Sequence, residues 1–143
     1  VAGPSLDVLR AIPLFATADD AFLERLSADF TMRTYAAGET ITVEGESGRT
    51  FLVIDTGEAT VTVHGEGVGR LGPGDALGEM ALIDKSARSA TVVADSDVRA
   101  FQLPVWSFRP LIEKNPEVLW AFLEAMARRV REVEARSSGL QQQ

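Results

Sequence analysis

Between Thr31 and Leu103 the hydrophobic pattern has a period of two, and this limits the chain more than any other feature. Successive side chains of a strand point to opposite faces, so short alternating runs mark half-buried strands. Seven runs qualify: Phe30–Tyr35, Thr40–Val43, Thr50–Asp55, Glu58–Val63, Val68–Leu71, Ala90–Ala94 and Val98–Leu103. They are separated by turn signals at Ala37-Gly38-Glu39, Glu44-Gly45-Glu46, Thr56-Gly57, Gly65-Glu66-Gly67 and Gly72-Pro73-Gly74-Asp75. Thr56-Gly57 predicts a tight hairpin with Gly57 at positive φ. Many short strands at even spacing predict a β-sandwich or jelly-roll barrel.

Helical spacing flanks this region on both sides. Ser5 is placed to cap a short turn through Leu6, Val8, Leu9 and Ile12 that Pro13 ends. A second helix starts at Asp19-Asp20 and carries Phe22, Leu23 and Leu26 on one face. After the strands, Pro104 fits the first position of a helix through Val105, Trp106, Phe108, Leu111 and Ile112. Lys114-Asn115-Pro116 breaks it, and Asn115 is placed to cap a long helix running to about Arg136. Within that helix Leu119, Leu123, Met126, Val130 and Val133 step by 4, 3, 4 and 3, a heptad-like seam that lays the helix on the barrel in part and, where it runs past the barrel, suits a homodimer. The polar tail 137–143 reads as a disordered end or linker. The expected class is α+β: an eight-stranded jelly-roll-like β-barrel with N-terminal helices and two C-terminal helices. Its segments are 1–29, 30–103, 104–136 and the tail.

Composition narrows the chemistry. A net charge of -7 argues against a nucleic-acid surface, which needs a basic stripe. No cysteine means no disulfide frame and no thiolate nucleophile. His64, the single histidine, excludes a multi-histidine metal centre and has no Ser or Cys partner pattern for catalysis. It ends a strand before a glycine turn, which predicts an exposed position. No apolar run approaches the ~20 residues that span a bilayer, and no secretory leader is visible, so a cytoplasmic location is expected. The chain begins with Val, as a piece of a longer protein would. A binding domain is expected, not an enzyme.

The chemistry concentrates in residues 77–92. Gly78-Glu79 opens a short apolar turn of Met80, Ala81, Leu82 and Ile83, whose unpaired backbone N–H groups suit an anion. Nine residues after Glu79 comes Arg88, a planar fork of donors matched to a phosphate. The expectation is an anion held between the turn and Arg88, with Glu79 reading a sugar hydroxyl. Arg70 and Arg99, the competing arginines, alternate with apolar neighbours in strands and are expected to face water.

Gly78-Glu79-Met80-Ala81-Leu82, five further residues and then Arg88-Ser89-Ala90-Thr91 resemble the phosphate-binding cassette of the cyclic nucleotide-binding domains, at the family's spacing. The residues from Leu9 to Phe15 and the helix after them are similar to that family's N-terminal helical bundle. The resemblance implies that Glu79 holds the ribose 2′-hydroxyl and Arg88 the cyclic phosphate. The amides of Gly78, Met80 and Ala81, with Ser89 and Ala90, complete the cage. Val61 and Val63 would line the barrel interior beside the base. The C-terminal helices would act as hinge and lid, with one side chain stacking on the base. Arg129 suits that role because it continues the apolar face of Phe122 and Met126, whereas Arg128 has Glu124 and Glu132 at i−4 and i+4.

Leu77, Lys85 and Ala87 depart from the family's usual Phe, Gly or Asn, and Pro, and none of them removes a ligand contact. Ser89 favours cAMP, with cGMP the other candidate, because family members that prefer cGMP more often carry Thr there. No helix-turn-helix follows the long helix, so no specific DNA binding is expected of this chain. A larger protein with an output domain is implied. The competing expectation is a vestigial barrel that serves only as a protein–protein or dimerisation module.

Overall fold

The computed structural model describes residues 3–79, 82 and 87–141, with side chains to 137. Its elements run in order: α1 (Leu6–Arg10), a 3-10 turn (Pro13–Phe15), α2 (Asp20–Ala28), β1 (Thr31–Tyr35), β2 (Thr40–Thr42), β3 (Thr50–Thr56) and β4 (Ala59–Val63). Then follow β5 (Glu66–Leu71), β6 (Ala76–Leu77), β7 (Thr91–Ala94), β8 (Val98–Pro104), α3 (Val105–Glu113) and α4 (Pro116–Gln141). The fold is the α+β arrangement expected, with eight strands between N-terminal and C-terminal helices. The strand missing from the sequence reading is β6, whose two residues are too short to show a period.

The strands form two antiparallel four-stranded sheets, ordered β1-β8-β3-β6 and β2-β7-β4-β5. The chain changes sheet at almost every turn, and only β4 and β5 are sequence neighbours that pair with each other. This is the double-sheet jelly-roll solution to covering strand edges. It corrects the expected hairpin at Thr56-Gly57. Gly57 does take a positive φ of 95°, and a Cβ there would strike the Asp97 carbonyl. The turn nonetheless carries the chain from β3 in one sheet to β4 in the other. The true two-residue hairpin is at His64-Gly65, with φ of 52° and 81°, the left-handed pair that a twisted hairpin favours.

β3 shows how the sheets share one strand's chemistry. Phe51 and Val53 face a cluster built with Phe15, Phe22, Leu23, Leu26, Phe108 and Phe122 from the helices. Leu52 and Ile54 face the barrel interior with Tyr35, Ala94, Val98 and Ala100. A strand covered on both faces reads as a continuous apolar run, as Phe51-Leu52-Val53-Ile54 does. Phe108 and Phe122 stack at 5.4 Å, tying α3 to α4.

The helix starts follow the capping chemistry. The amide of Val8 donates to Ser5 Oγ at 3.2 Å, and that of Phe22 to Asp19 Oδ1 at 2.8 Å. Pro104 is the N-cap of α3 and not its first residue. The Asn115 side chain turns backward, donating to the Leu111 carbonyl at 2.8 Å, so it caps the end of α3. The helix α4 continues to Gln141, so residues 137–141 are helical and not the irregular tail their composition suggested. Extending a formed helix adds one hydrogen bond per residue fixed, which Ser and Gly tolerate at small cost. Among the described residues no helix is long and apolar enough to cross a membrane.

Candidate functional site

Each part of the site is fixed by backbone pairing before any ligand is considered. β6 pairs Leu52 with Leu77 and Val53 with Ala76, which brings Gly78 to the start of the central strand. The amide of Leu82 donates to the Glu79 carbonyl at 3.2 Å, closing a turn after Gly78. The segment before β7 is zipped onto the loop after β2. Arg88 N–H donates to the Glu46 carbonyl at 2.8 Å, Gly45 N–H to the Arg88 carbonyl at 2.9 Å, and Ala87 bridges Ser47. The Thr42 hydroxyl donates to the Ala90 carbonyl at 3.1 Å. These bonds fix the position from which the Arg88 side chain departs.

That side chain lies under the cassette. Nη2 donates to the Thr50 carbonyl at 2.7 Å and to Thr50 Oγ1 at 3.2 Å. Nη1 is buried and has no hydrogen-bond partner among the described residues. Burial pulls the guanidinium below its ordinary pKa, partly offset by the nearby Tyr35 phenol. Gly78 takes a φ of 86°, and a Cβ there would collide with Nη1 and crowd the Thr50 carbonyl. Glycine is therefore required on two grounds, backbone conformation and close approach.

A cavity of about 400 Å³ opens over these groups, within the range of small-molecule sites. It gathers Gly78, Glu79, Arg88, Ser89, Ala90, Val61 and Arg129 from the expected set. Val63 lies two residues further along β4, near the hairpin end, and is not among the lining residues. Met80 and Ala81 fall outside the described residues, as does Lys85. Thr42, Leu71, Ala76, Leu77, Ala87 and Val92 complete the wall. The sequence reading did not place Thr50 at the site; it is an ordinary strand threonine, and only the fold brings it to Arg88.

At the mouth, Arg129 Nη1 lies 3.4 Å from Glu79 Oε1. The residue expected to stack on a base instead pairs with the carboxylate expected to hold a sugar. A second cavity of about 340 Å³, lined by Ile12, Leu14, Ala125 and Arg128 among others, shares both Glu79 and Arg129 with the first. The pair thus forms a partition between the two. Arg70 faces outward, bonded to Glu58 at 2.8 Å and Asp95 at 3.3 Å, and His64 is exposed beside Glu44.

A jelly-roll barrel enclosing a cavity, with a half-buried guanidinium beneath a glycine turn whose Nη1 is unpaired among the described residues, has the features of a domain that binds a small anion. The sequence profile of the Cyclic nucleotide-binding domain family matches residues 32–115. The N-terminal domain of a transcriptional regulator from Streptomyces coelicolor A3(2) superposes with a TM-score of 0.80 at 33% identity, covering 89% of this chain and 94% of that one. The Thermus thermophilus Catabolite Activator Protein gives 0.73 at 28% identity, covering 90% and 63%. An uncharacterized NTE family protein from Mycobacterium tuberculosis is 31% identical over 87% of this chain, which spans 21% of that protein. The Mus musculus potassium/sodium hyperpolarization-activated cyclic nucleotide-gated channel 3 is 31% identical over 91% of this chain and 17% of the channel. The chain belongs to the cyclic nucleotide-binding domain family, and it spans about a fifth of the length of these curated relatives.

Proposed function

We propose that the chain senses a cyclic nucleotide, with cAMP preferred, and passes the binding event to α4. The carrying observation is Arg88 Nη1, a buried cationic donor facing Gly78 with no partner among the described residues. Leaving such a group unpaired costs about 1–3 kcal/mol, more for a charged one, which a phosphate oxygen recovers. The amides of Gly78, Met80 and Ala81, with Ser89 and Ala90, share the phosphate. Val61 borders the base. Glu79 takes the 2′-hydroxyl, which frees Arg129 to lie over the base and draws α4 with it.

The chain performs no reaction in this reading. It acts as a cytoplasmic regulatory module of a larger protein whose output lies outside these residues, and it self-associates through α4. The serine at position 89 supports cAMP over cGMP, with Glu132 and Glu134 the acids that would read a guanine edge. Calorimetry with each nucleotide tests the reading. cAMP at ~100 times its Kd should raise stability by roughly 2.7 kcal/mol. No heat and no thermal shift with either nucleotide would leave the vestigial interaction module as the better account.

A further inference from the structure

The second cavity is walled by charge and floored by hydrocarbon. Phe15 of the 3-10 turn meets Phe122 of α4 at 5.6 Å, and one helical turn further on a space of about 340 Å³ opens between the two elements. Its floor is Ile12, Leu14 and Ala125, which keep 5%, 3% and 7% of their surface. Ala125, Arg128, Arg129 and Glu132 stand at i, i+3, i+4 and i+7 and so share one face of α4. Glu79 closes the side toward the first cavity.

Four charges line this space, and two of them are already matched. Arg129 Nη1 lies 3.4 Å from Glu79 Oε1. Arg128 and Glu132 remain. Their i,i+4 spacing ordinarily makes an ion pair, and Glu124 offers Arg128 another one a turn earlier. Neither forms: among the described residues no ion pair includes Arg128, Glu132 or Glu124. Arg128 and Glu132 border the cavity instead, one charge of each sign, a helical turn apart, beside an apolar floor. The complement is a small molecule with an anionic and a cationic group side by side and an apolar remainder. An anion alone would leave Glu132 unmatched, a cation alone Arg128, and an apolar molecule both.

We propose that this cavity binds a free aliphatic α-amino acid, its carboxylate on Arg128, its ammonium on Glu132 and its side chain on Ile12, Leu14 and Ala125. The volume lies at the small end of ligand sites, which suits a molecule of that size. Arg128 and Glu132 are exposed, and exposed pairs contribute little each, so the expected dissociation constant is on the order of 1 mM. The charge match holds only while Glu79 and Arg129 neutralise each other. On the reading of the first cavity as the nucleotide site, a nucleotide that separates this pair unbalances the wall of the second. Amino acid and nucleotide then weaken each other by the same factor.

A backbone-amide NMR titration with L-leucine tests the site. Shifts should gather at residues 12–15 and 125–132 and saturate in the millimolar range. Isocaproate lacks the ammonium, isopentylamine the carboxylate and glycine the side chain, and each should bind at least several-fold more weakly. Arg128→Glu should weaken leucine several-fold, and adding Glu132→Arg, which restores one charge of each sign, should recover it. Leucine at saturation should raise the cAMP dissociation constant several-fold. No saturable shifts, equal binding of isocaproate or isopentylamine, or no recovery in the double exchange would overturn the site. An unchanged cAMP affinity beside saturable leucine shifts would overturn the opposition alone. Leucine binding by a chain that takes no cyclic nucleotide would support the site and remove the nucleotide reading.

Discussion

The floor and the mouth of the cavity each present an arginine, and the two are held in opposite ways. The Arg88 side chain is half-buried, bonded only to Thr50 among the described residues, and its Nη1 is sealed from water. Arg129 is 53% exposed at its side chain and already has a carboxylate at 3.4 Å. A half-buried cation with one nitrogen unpaired, and no carboxylate bonded to it among the described residues, favours an anion, because its desolvation is only partly offset. An exposed pair is worth little and exchanges partners readily. In the proposed reading the same residue type supplies affinity at the floor and adjustability at the mouth.

Substituting each arginine is the strongest way to break that contrast. Arg88→Ala should lose at least ~2 kcal/mol of cAMP binding, more than tenfold, by calorimetry. Arg129→Ala should change affinity by well under tenfold, and equal losses would end the distinction. Next, Gly78→Val forces a branched side chain into a left-handed backbone and against Nη1. A stability loss of about 1–3 kcal/mol, together with weakened cAMP binding, should appear in thermal melts with and without ligand.

Thr50→Val keeps the carbonyl acceptor and removes Oγ1, so a smaller loss of about 0.5–1.5 kcal/mol in binding should follow. The smallest effect concerns Tyr35, whose phenol burial pushes above its usual value of 10.0, against the lowering pull of Arg33. A raised phenol pKa means the folded state holds its proton longer. The contribution is present below the unfolded value and lost as pH rises through the folded one. Stability should decline above about pH 10 by an amount that Tyr35→Phe removes.

Seven of the eight strands were legible because alternation is a local property. Their partners were not, since Gly57 looks the same whether it closes a hairpin or passes the chain between sheets. Gly78, Glu79 and Arg88 were legible as a spaced set of chemistries, and the cavity gathers them. Thr50 was not, because its contact with Arg88 joins residues that only the antiparallel sheet brings together. Ala87 stands where the family's usual Pro would stiffen the backbone before Arg88, yet its bridge to Ser47 and the bonds of Arg88 to Gly45 and Glu46 supply restraint that no single residue type advertises. The ion pair at the mouth was illegible for the same reason: Glu79 and Arg129 are 50 residues apart, and each had been given to a ligand.

Thr50 stands opposite Pro104 in the β3–β8 register, and its neighbour Arg49 accepts the amide of Val105 at 3.0 Å. The residue that steadies the guanidinium therefore sits across from the point where the last strand becomes α3. In the proposed reading, a ligand held by Arg88 is joined to the root of that helix by two hydrogen bonds, Arg88 to the Thr50 carbonyl and Val105 to the Arg49 carbonyl. Grip and lever would then share one fulcrum on β3, and a change at Thr50 would be felt at both.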